Sequence, residues 1–584
     1  MTTILQDWPA AQTEHGMLVA LGEFVQQHGL IERLMQVPIP QKTRQFTPQT
    51  KLVEFLAGIQ SGIEHLEDLN DGPHPLVKDN MVARAWGQAG FAHCSGVSRT
   101  LDVCTPETVR AVEQVVTDFS QPFIAAQVTE LLRRGADIVY DFDLTGQAVS
   151  PTSTTYPDSG FGWMDDGVQL GYQMARVCLT AQDGQRTWLA GFHHPGDTVS
   201  VTCLKELVIA AEAQTKIRPR RRTDLVAQRI QTQAQTLARL QRLWHQQATK
   251  VEHDQETRDR LIGQRYHAEQ QLKEKAISGR KKAQLQAKVA ARQKRQLRLE
   301  AQIARAQQVR DKHQGQVTEA EQQLASLKTW REALEADNRS NPEPPPYVEA
   351  RMDAGFVSGD NLTWLLEMGY CPNTKAPSDK TTHALRKDLP AHPAWSAVGK
   401  NAEMIACGEY TLHHCPYPLV AALERFKVGR TFRYATLIRY RDDGRSRALR
   451  EWFHHYNARQ TIEAGNKEMK GTFFVQHLMT RALPGIQLQV LFTGLAANVV
   501  RWATPWLQDC TNHLTPKWLR TLSSPKHVVQ VAANCTALVE QTRAGTALQF
   551  VPDSPFPGVI LFLKGVPAFQ LDLGFNRPCK IASG

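Results

Sequence analysis

A chain of 584 residues is several times the usual ~100–150-residue domain and long enough to bury more than one core. Its composition, 42% hydrophobic and 22% charged, excludes a wholly disordered or fibrous chain, and no unbroken apolar run approaches the ~20 residues that span a bilayer. The net charge of +10 is unevenly placed: residues 216–340 hold 28 Lys and Arg against 14 Asp and Glu, leaving the remainder net −4, and so local a surplus favours nucleic acid ahead of an anionic membrane surface.

The opening MTTILQDWPAAQTEHG lacks a basic stretch followed by an apolar core and a small-residue cleavage site, so a cytoplasmic location without membrane association is expected. Residues 1–120 show helical periodicity in KLVEFLAGIQSGIEHLEDL and TPETVRAVEQVVTDF, predicting a small all-helical domain. Within it, FAHCSGVSRTLDVCT suggests the turn and second helix of a helix-turn-helix, with Ser98, Arg99 and Thr100 offered to DNA; plain helical packing is the alternative. Residues 121–217 then turn strand-rich. GADIVYDFDLTGQAV and GVQLGYQMARVCLTAQDGQRTWLAGFHHPGDT, the latter with Asp-Gly between alternating apolar runs, predict three antiparallel strands followed by the helix VSVTCLKELVIAAEAQ.

From 218 to 345 the chain has coiled-coil composition, with Ser278-Gly279 near its middle. Arms 223–276 and 280–337 would fold back as an antiparallel hairpin on the order of 80 Å long at 1.5 Å per residue, and NPEPPPY ends it because consecutive prolines cannot continue a helix. A strand and helix return over 346–370, a β-rich stretch follows over 371–445, helices over 446–510, and 511–584 closes the chain with strand-like GVILFLKG and AFQLDLGF. Ten cysteines without a C-x-x-C pair read as reduced and structural; the nearest zinc-like group, Cys407 with His413, His414 and Cys415, matches no familiar spacing.

Three carboxylates stand out. In DFDLTGQ, strand periodicity puts Asp141 and Asp143 on one face, where they either approach a divalent cation or, for one of them, cap a turn or pair with an arginine. Asp353 ends the strand VEARM just before Ala-Gly-Phe and a helix, a position shared by active-site acids and ordinary caps. In HHYNARQTIEAGNKEMKG, Tyr456, Arg459, Glu463 and Lys470 fall at offsets 0, 3, 7 and 14. At about 100° per residue these lie within about 60° on one face of a single helix. A carboxylate flanked by cations and a phenol suits a metal beside a phosphate backbone; a solvated face with an Arg459–Glu463 pair is the alternative.

This Tyr-Arg-Glu-Lys spacing resembles the signature of the insertion-sequence-four group of DDE transposases, and Asp143-Leu144-Thr145 and Asp353-Ala354-Gly355-Phe356 are similar to the contexts of that group's two aspartates. The resemblance covers about 135–217 and 346–505 and includes GFHHPGDT. It implies an α/β protein: an RNase H-like core, a mixed sheet with flanking helices, interrupted by a long helical coiled-coil insertion and a β-rich insertion, behind an all-α N-terminal domain. It further implies that Asp143, Asp353 and Glu463 hold two Mg²⁺ ions, with Mn²⁺ as a substitute, while Tyr456, Arg459 and Lys470 grip phosphates. Trp395 is the candidate for holding a flipped base. The implied activity is cut-and-paste transposition by a homodimer on double-stranded DNA, at terminal inverted repeats and a target, in a prokaryotic cytoplasm and nucleoid. The basic coil between Asp143 and Asp353 departs from the group's pattern; DNA clamping, subunit pairing and spacing are its open roles. A catalytically silent DNA-binding derivative and a nuclease that does not join strands are the competing functions.

Overall fold

The computed structural model describes residues 11–43, 45–164, 167–181, 184–273, 279–345, 347–445, 447–542 and 545–565. The chain is mixed α/β and divides into two compact units: Met1–Pro219 with Pro344–Leu366 and Tyr370–Gly584, and Arg220–Glu343 with Glu367–Gly369.

In the first unit, β1 (Ala11–Thr13) leads into helices, of which Pro106–Arg133 is the longest before the first sheet strand. Thr105 caps that helix, its hydroxyl accepting from Thr108 N–H at 3.3 Å while Thr108 reciprocates. The expected domain boundary at 120 falls inside this helix. The strands of the large sheet follow: β2 (Ile138–Ala148), β3 (Gly160–Met164), β4 (Gly167–Thr180), β5 (Arg186–Pro195), β6 (Val348–Arg351), β7 (Cys371–Lys375), β8 (Ser396–Ala397), β9 (Ala402–Tyr410), β10 (Leu419–Val428) and β11 (Thr431–Tyr440).

β2 is rich in β-branched and aromatic residues and is buried over its first six positions, as a central strand should be. It pairs parallel with β6, and β6 with β7, while β4 runs antiparallel to β2 and β5 antiparallel to β4. The spatial order is therefore β5-β4-β2-β6-β7. β11, β10, β9 and β8 extend the sheet beyond β7 as an antiparallel run. Thus β7, expected within the β-rich stretch, belongs to the parallel part of the sheet. The turn between β4 and β5 is made by Gly184 at φ 81°, as the Asp-Gly signal predicts; Asp183 itself lies outside the described residues. β3, Gly-rich and unpredicted, pairs with the start of β4. Gly196 permits this junction, because a Cβ there would lie 2.0 Å from the Gly160 carbonyl oxygen and 2.7 Å from that of Gly171.

The C-terminal region is part of the same core as the N-terminal helices. β12 (Ala537–Thr542), β13 (Gly545–Phe550) and β14 (Ile560–Leu563) form a sheet with β1, Ala11 pairing Val539. Among the described residues, the N-terminal region is therefore helical apart from one short strand. Fully buried Trp86, Phe24 and Phe55 share one apolar cluster with Trp518, Phe550 and the helix Leu483–Cys510, each contributing roughly 1.5–3 kcal/mol by leaving water. Among the described residues that helix alone is long and apolar enough to cross a bilayer, with mean hydropathy 1.4, yet 72% of its apolar window is buried inside the fold. GVILFLKG contains β14, whereas AFQLDLGF lies outside the described residues.

The second unit consists of helices Thr223–Lys273 and Gly279–Arg339, close to the expected arms; Ser278 lies outside the described residues. Its base is fastened by Arg221, whose backbone N–H donates to Asn338 Oδ1 at 2.8 Å and whose Nε lies 3.1 Å from Asp337. Arg229 pairs with Glu367, which also accepts from Trp330 Nε1 at 2.8 Å.

One core group is out of character. Glu54, fully buried in helix Pro48–Ser61, accepts from the Ala92 N–H at 2.8 Å, and its other oxygen has no hydrogen-bond partner. Burial pushes its carboxyl up to about 8, against smaller lowering by Ala92 and Lys51. A raised folded-state value means that this group's contribution to stability is fully present below its ordinary value of about 4.5 and is lost as pH rises through about 8. Glu54→Gln keeps an acceptor for Ala92 and removes the charging cost. It should stabilise the fold by on the order of 1–3 kcal/mol at pH 8–9 and by little at pH 5, read from urea denaturation at both pH values.

Candidate active site

Asp143 lies on β2, Asp353 two residues beyond β6, and Glu463 in the helix Gln460–Thr472. Three elements far apart in sequence thus bring their carboxylates to one guanidinium. Arg459 places Nη2 2.8 Å from Asp143 and 3.6 Å from Asp353, and Nη1 2.8 Å from Glu463. Asp143 and Arg459 are buried, whereas the Asp353 and Glu463 side chains are 41% and 49% exposed, so the acid cluster has one dry side and one wet side.

The electrostatics follow from this placement. Burial pushes the Asp143 carboxyl up, Arg459 pulls it down, and Asp353 and Glu463 push it up again, leaving it at about 6. Asn466 donates to Asp143 at 2.6 Å, while its own Oδ1 is buried without a hydrogen-bond partner beside the cluster. Asp353 keeps the capping role as well, its Oδ1 accepting from Gly355 N–H at 2.9 Å ahead of the turn Ala354–Phe356.

Asp141, on the same strand face, belongs to a different network. It is fully buried, receives Arg351 Nε and Nη2 at 2.7 Å each, and accepts from Thr180 at 2.5 Å. This is the arginine-pairing alternative for Asp141. Arg351 also donates to the His455 carbonyl at 2.7 Å, tying β6 to the helix Leu449–Asn457.

The Tyr-Arg-Glu-Lys segment is not one continuous helix. Helices Leu449–Asn457 and Gln460–Thr472 are separated at Ala458-Arg459, where Arg459 N–H bonds to Tyr456 C=O and Ile462 N–H to Arg459 C=O three residues back. Arg459 is buried among the acids instead of facing outward. Tyr456 is buried too, its hydroxyl 3.5 Å from the Met352 carbonyl oxygen. Lys470 is half-buried near the end of the second helix.

The remaining candidates lie elsewhere. Arg99 is exposed and Ser98 half-exposed on helix Cys94–Asp102, but Thr100 is buried, donating to Gln41 at 2.7 Å, which withdraws it from any surface. Trp395 is half-buried with the Arg425 guanidinium 4.2 Å from its ring centre, and Arg425 also lies 4.7 Å over Phe432. The nine described cysteines are unbridged. Asn466 was missed in sequence; its only signal was a position three residues after Glu463, the next turn of the same helix.

Two substitutions separate the neighbouring aspartates. Asp141→Asn leaves Arg351 buried without its counter-charge and should cost about 3–5 kcal/mol. Asp143→Asn relieves crowding among three acids and should cost far less, both read from denaturant unfolding without divalent metal. A search of family models and of curated proteins gives no match to this chain.

Proposed function

We propose that this chain is a DNA transposase with an RNase H-like catalytic core, cleaving transposon ends and joining them to target DNA. The observation that carries the reading is the convergence of Asp143, Asp353 and Glu463 on Arg459 at the β2 and β6 strands of a β5-β4-β2-β6-β7 sheet. The chain order, antiparallel β2, β4 and β5 followed by a helix and, after the helical pair, β6 followed by a helix, supports that reading.

The donor set suits hard divalent cations such as Mg²⁺. Three carboxylates and the unpartnered Asn466 oxygen offer only oxygen ligands, and the wet side leaves room for substrate. When bound, two such ions activate water or a freed 3′-hydroxyl and stabilise the leaving oxygen. The chain's own contribution is placement. Arg459 partly offsets the charge of the acids and holds them together before metal arrives, while the half-exposed Asp353 and Glu463 can turn toward a cation without breaking the core. The basic helices Thr223–Lys273 and Gly279–Arg339 supply a positive surface for double-stranded DNA, and a homodimer would pair two ends.

The test is cleavage of a labelled duplex carrying the inverted repeat that flanks the gene, with and without Mg²⁺. Wild type should cut at the repeat boundary, and Glu463→Gln should slow cutting at least about a hundredfold, the loss of a few kcal/mol of transition-state stabilisation. Cutting without joined products would make the chain a nuclease. Binding without cutting in both proteins would make it a silent DNA-binding derivative and sink the proposal.

A further inference from the structure

β5 carries His194 near its end, and the chain reverses through Gly196–Val199 into the helix Ser200–Thr215. Cys203 and Glu206 lie three residues apart in that helix and therefore share a face. His194 Nε2 is 2.6 Å from Glu206 Oε1, and one ligand atom each from His194, Glu206 and Cys203 lie within 4.8 Å of one another. The nitrogen and oxygen are each other's ion-pair partner, out of hydrogen-bond alignment, and both atoms are buried. The thiol, pushed up by burial and by the neighbouring Glu206 carboxylate, also makes contacts of 3.8 Å to Thr202 and the Val199 carbonyl. A histidine nitrogen, a carboxylate oxygen and a thiol brought this close together offer three ligand atoms to a shared cation.

We propose that His194, Cys203 and Glu206 form a metal site of the zinc class, separate from the oxygen-only site of Asp143, Asp353 and Glu463 and independent of the transposase reading. The chemistry selects the ion. A nitrogen, a sulfur and one carboxylate oxygen suit borderline-soft Zn²⁺ and do not suit Mg²⁺. His194 also lines an open cleft of about 360 Å³ with His193, Asp158 and Asp197. Binding displaces the Cys203 proton to solvent, so one proton is released per ion.

The site also has a mechanical consequence. The same helix start abuts the Asp353 loop: a Cβ on Gly355 would lie 2.9 Å from Ser200 Oγ, and Asn361 Nδ2 donates to the Val201 carbonyl at 2.8 Å. An ion joining β5 to this helix braces the support behind Asp353.

The test uses the full-length protein stripped of metal and titrated with Co²⁺, followed by Zn²⁺ competition against a chromophoric chelator. One equivalent of Co²⁺ should give tetrahedral visible bands and a thiolate charge-transfer band, and Cys203→Ala should remove the latter. His194→Ala and the isosteric change Glu206→Gln at a partly exposed side chain should each weaken Zn²⁺ at least about tenfold, the scale on which even outer partners of metal ligands act. Glu206→Gln guards against a buried variant that fails to fold. A wild-type spectrum without the thiolate band, a band that survives Cys203→Ala, or Zn²⁺ affinity unchanged in His194→Ala and Glu206→Gln would overturn the site.

Discussion

Arg351 is the fastening on which the acid cluster depends. Its guanidinium grips Asp141 on β2 through two bonds of 2.7 Å and the His455 carbonyl through a third. Asp143 is two residues from Asp141, Asp353 two residues from Arg351, and Arg459 four residues from His455. One buried side chain therefore sets the relative positions of the three segments that carry the site. Such a pair contributes little net stability compared with an apolar substitute, but breaking it strands a charge, so it enforces one arrangement of strands over others. The carboxylates themselves would repel; Arg459 makes their convergence tolerable in the absence of other cations.

The site was legible in sequence to the degree that its residues obey local periods. Strand alternation marked Asp141 and Asp143 equally, because period 2 says which face a residue takes and nothing about what awaits it there. Arg351, which distinguishes them, is 210 residues from Asp141. Helical spacing put Tyr456, Arg459, Glu463 and Lys470 on one face of one helix, whereas the segment forms two helices, and the break at Ala458-Arg459 has no Gly or Pro to announce it. It coincides with the residue that engages all three acids, and so follows from tertiary contacts. The same limit applies to His194, Cys203 and Glu206: with ligands split between a strand and a helix, no zinc-like spacing appears, and inspection of the cysteines alone passes over them.

At the level of the fold, the strongly patterned elements were readable and the weakly patterned ones were not. The two long helices of 223–339 and the strands β2, β4, β5 and β6 have compositions that permit one reading. β12 and β13 are short strands completed by β1 from the other end of the chain, and no local signal encodes a partner more than 500 residues away. The N- and C-terminal regions consequently appeared separate although their side chains fill one core.

The fastening at the base of the helical pair bears on how the molecule folds. β2 and β6 must meet across some 200 residues, a closure that would ordinarily be slow as well as entropically costly. Most of the intervening chain is the paired helices 223–339, whose ends are already joined by Arg221 with Asp337 and Asn338. Helical hairpins form from local contacts within microseconds to milliseconds. Once this one has zipped, the search for the β2–β6 pairing proceeds with a far shorter effective tether, and a segment that lengthens the chain by more than a hundred residues adds little to the distance in sequence that the central sheet must close.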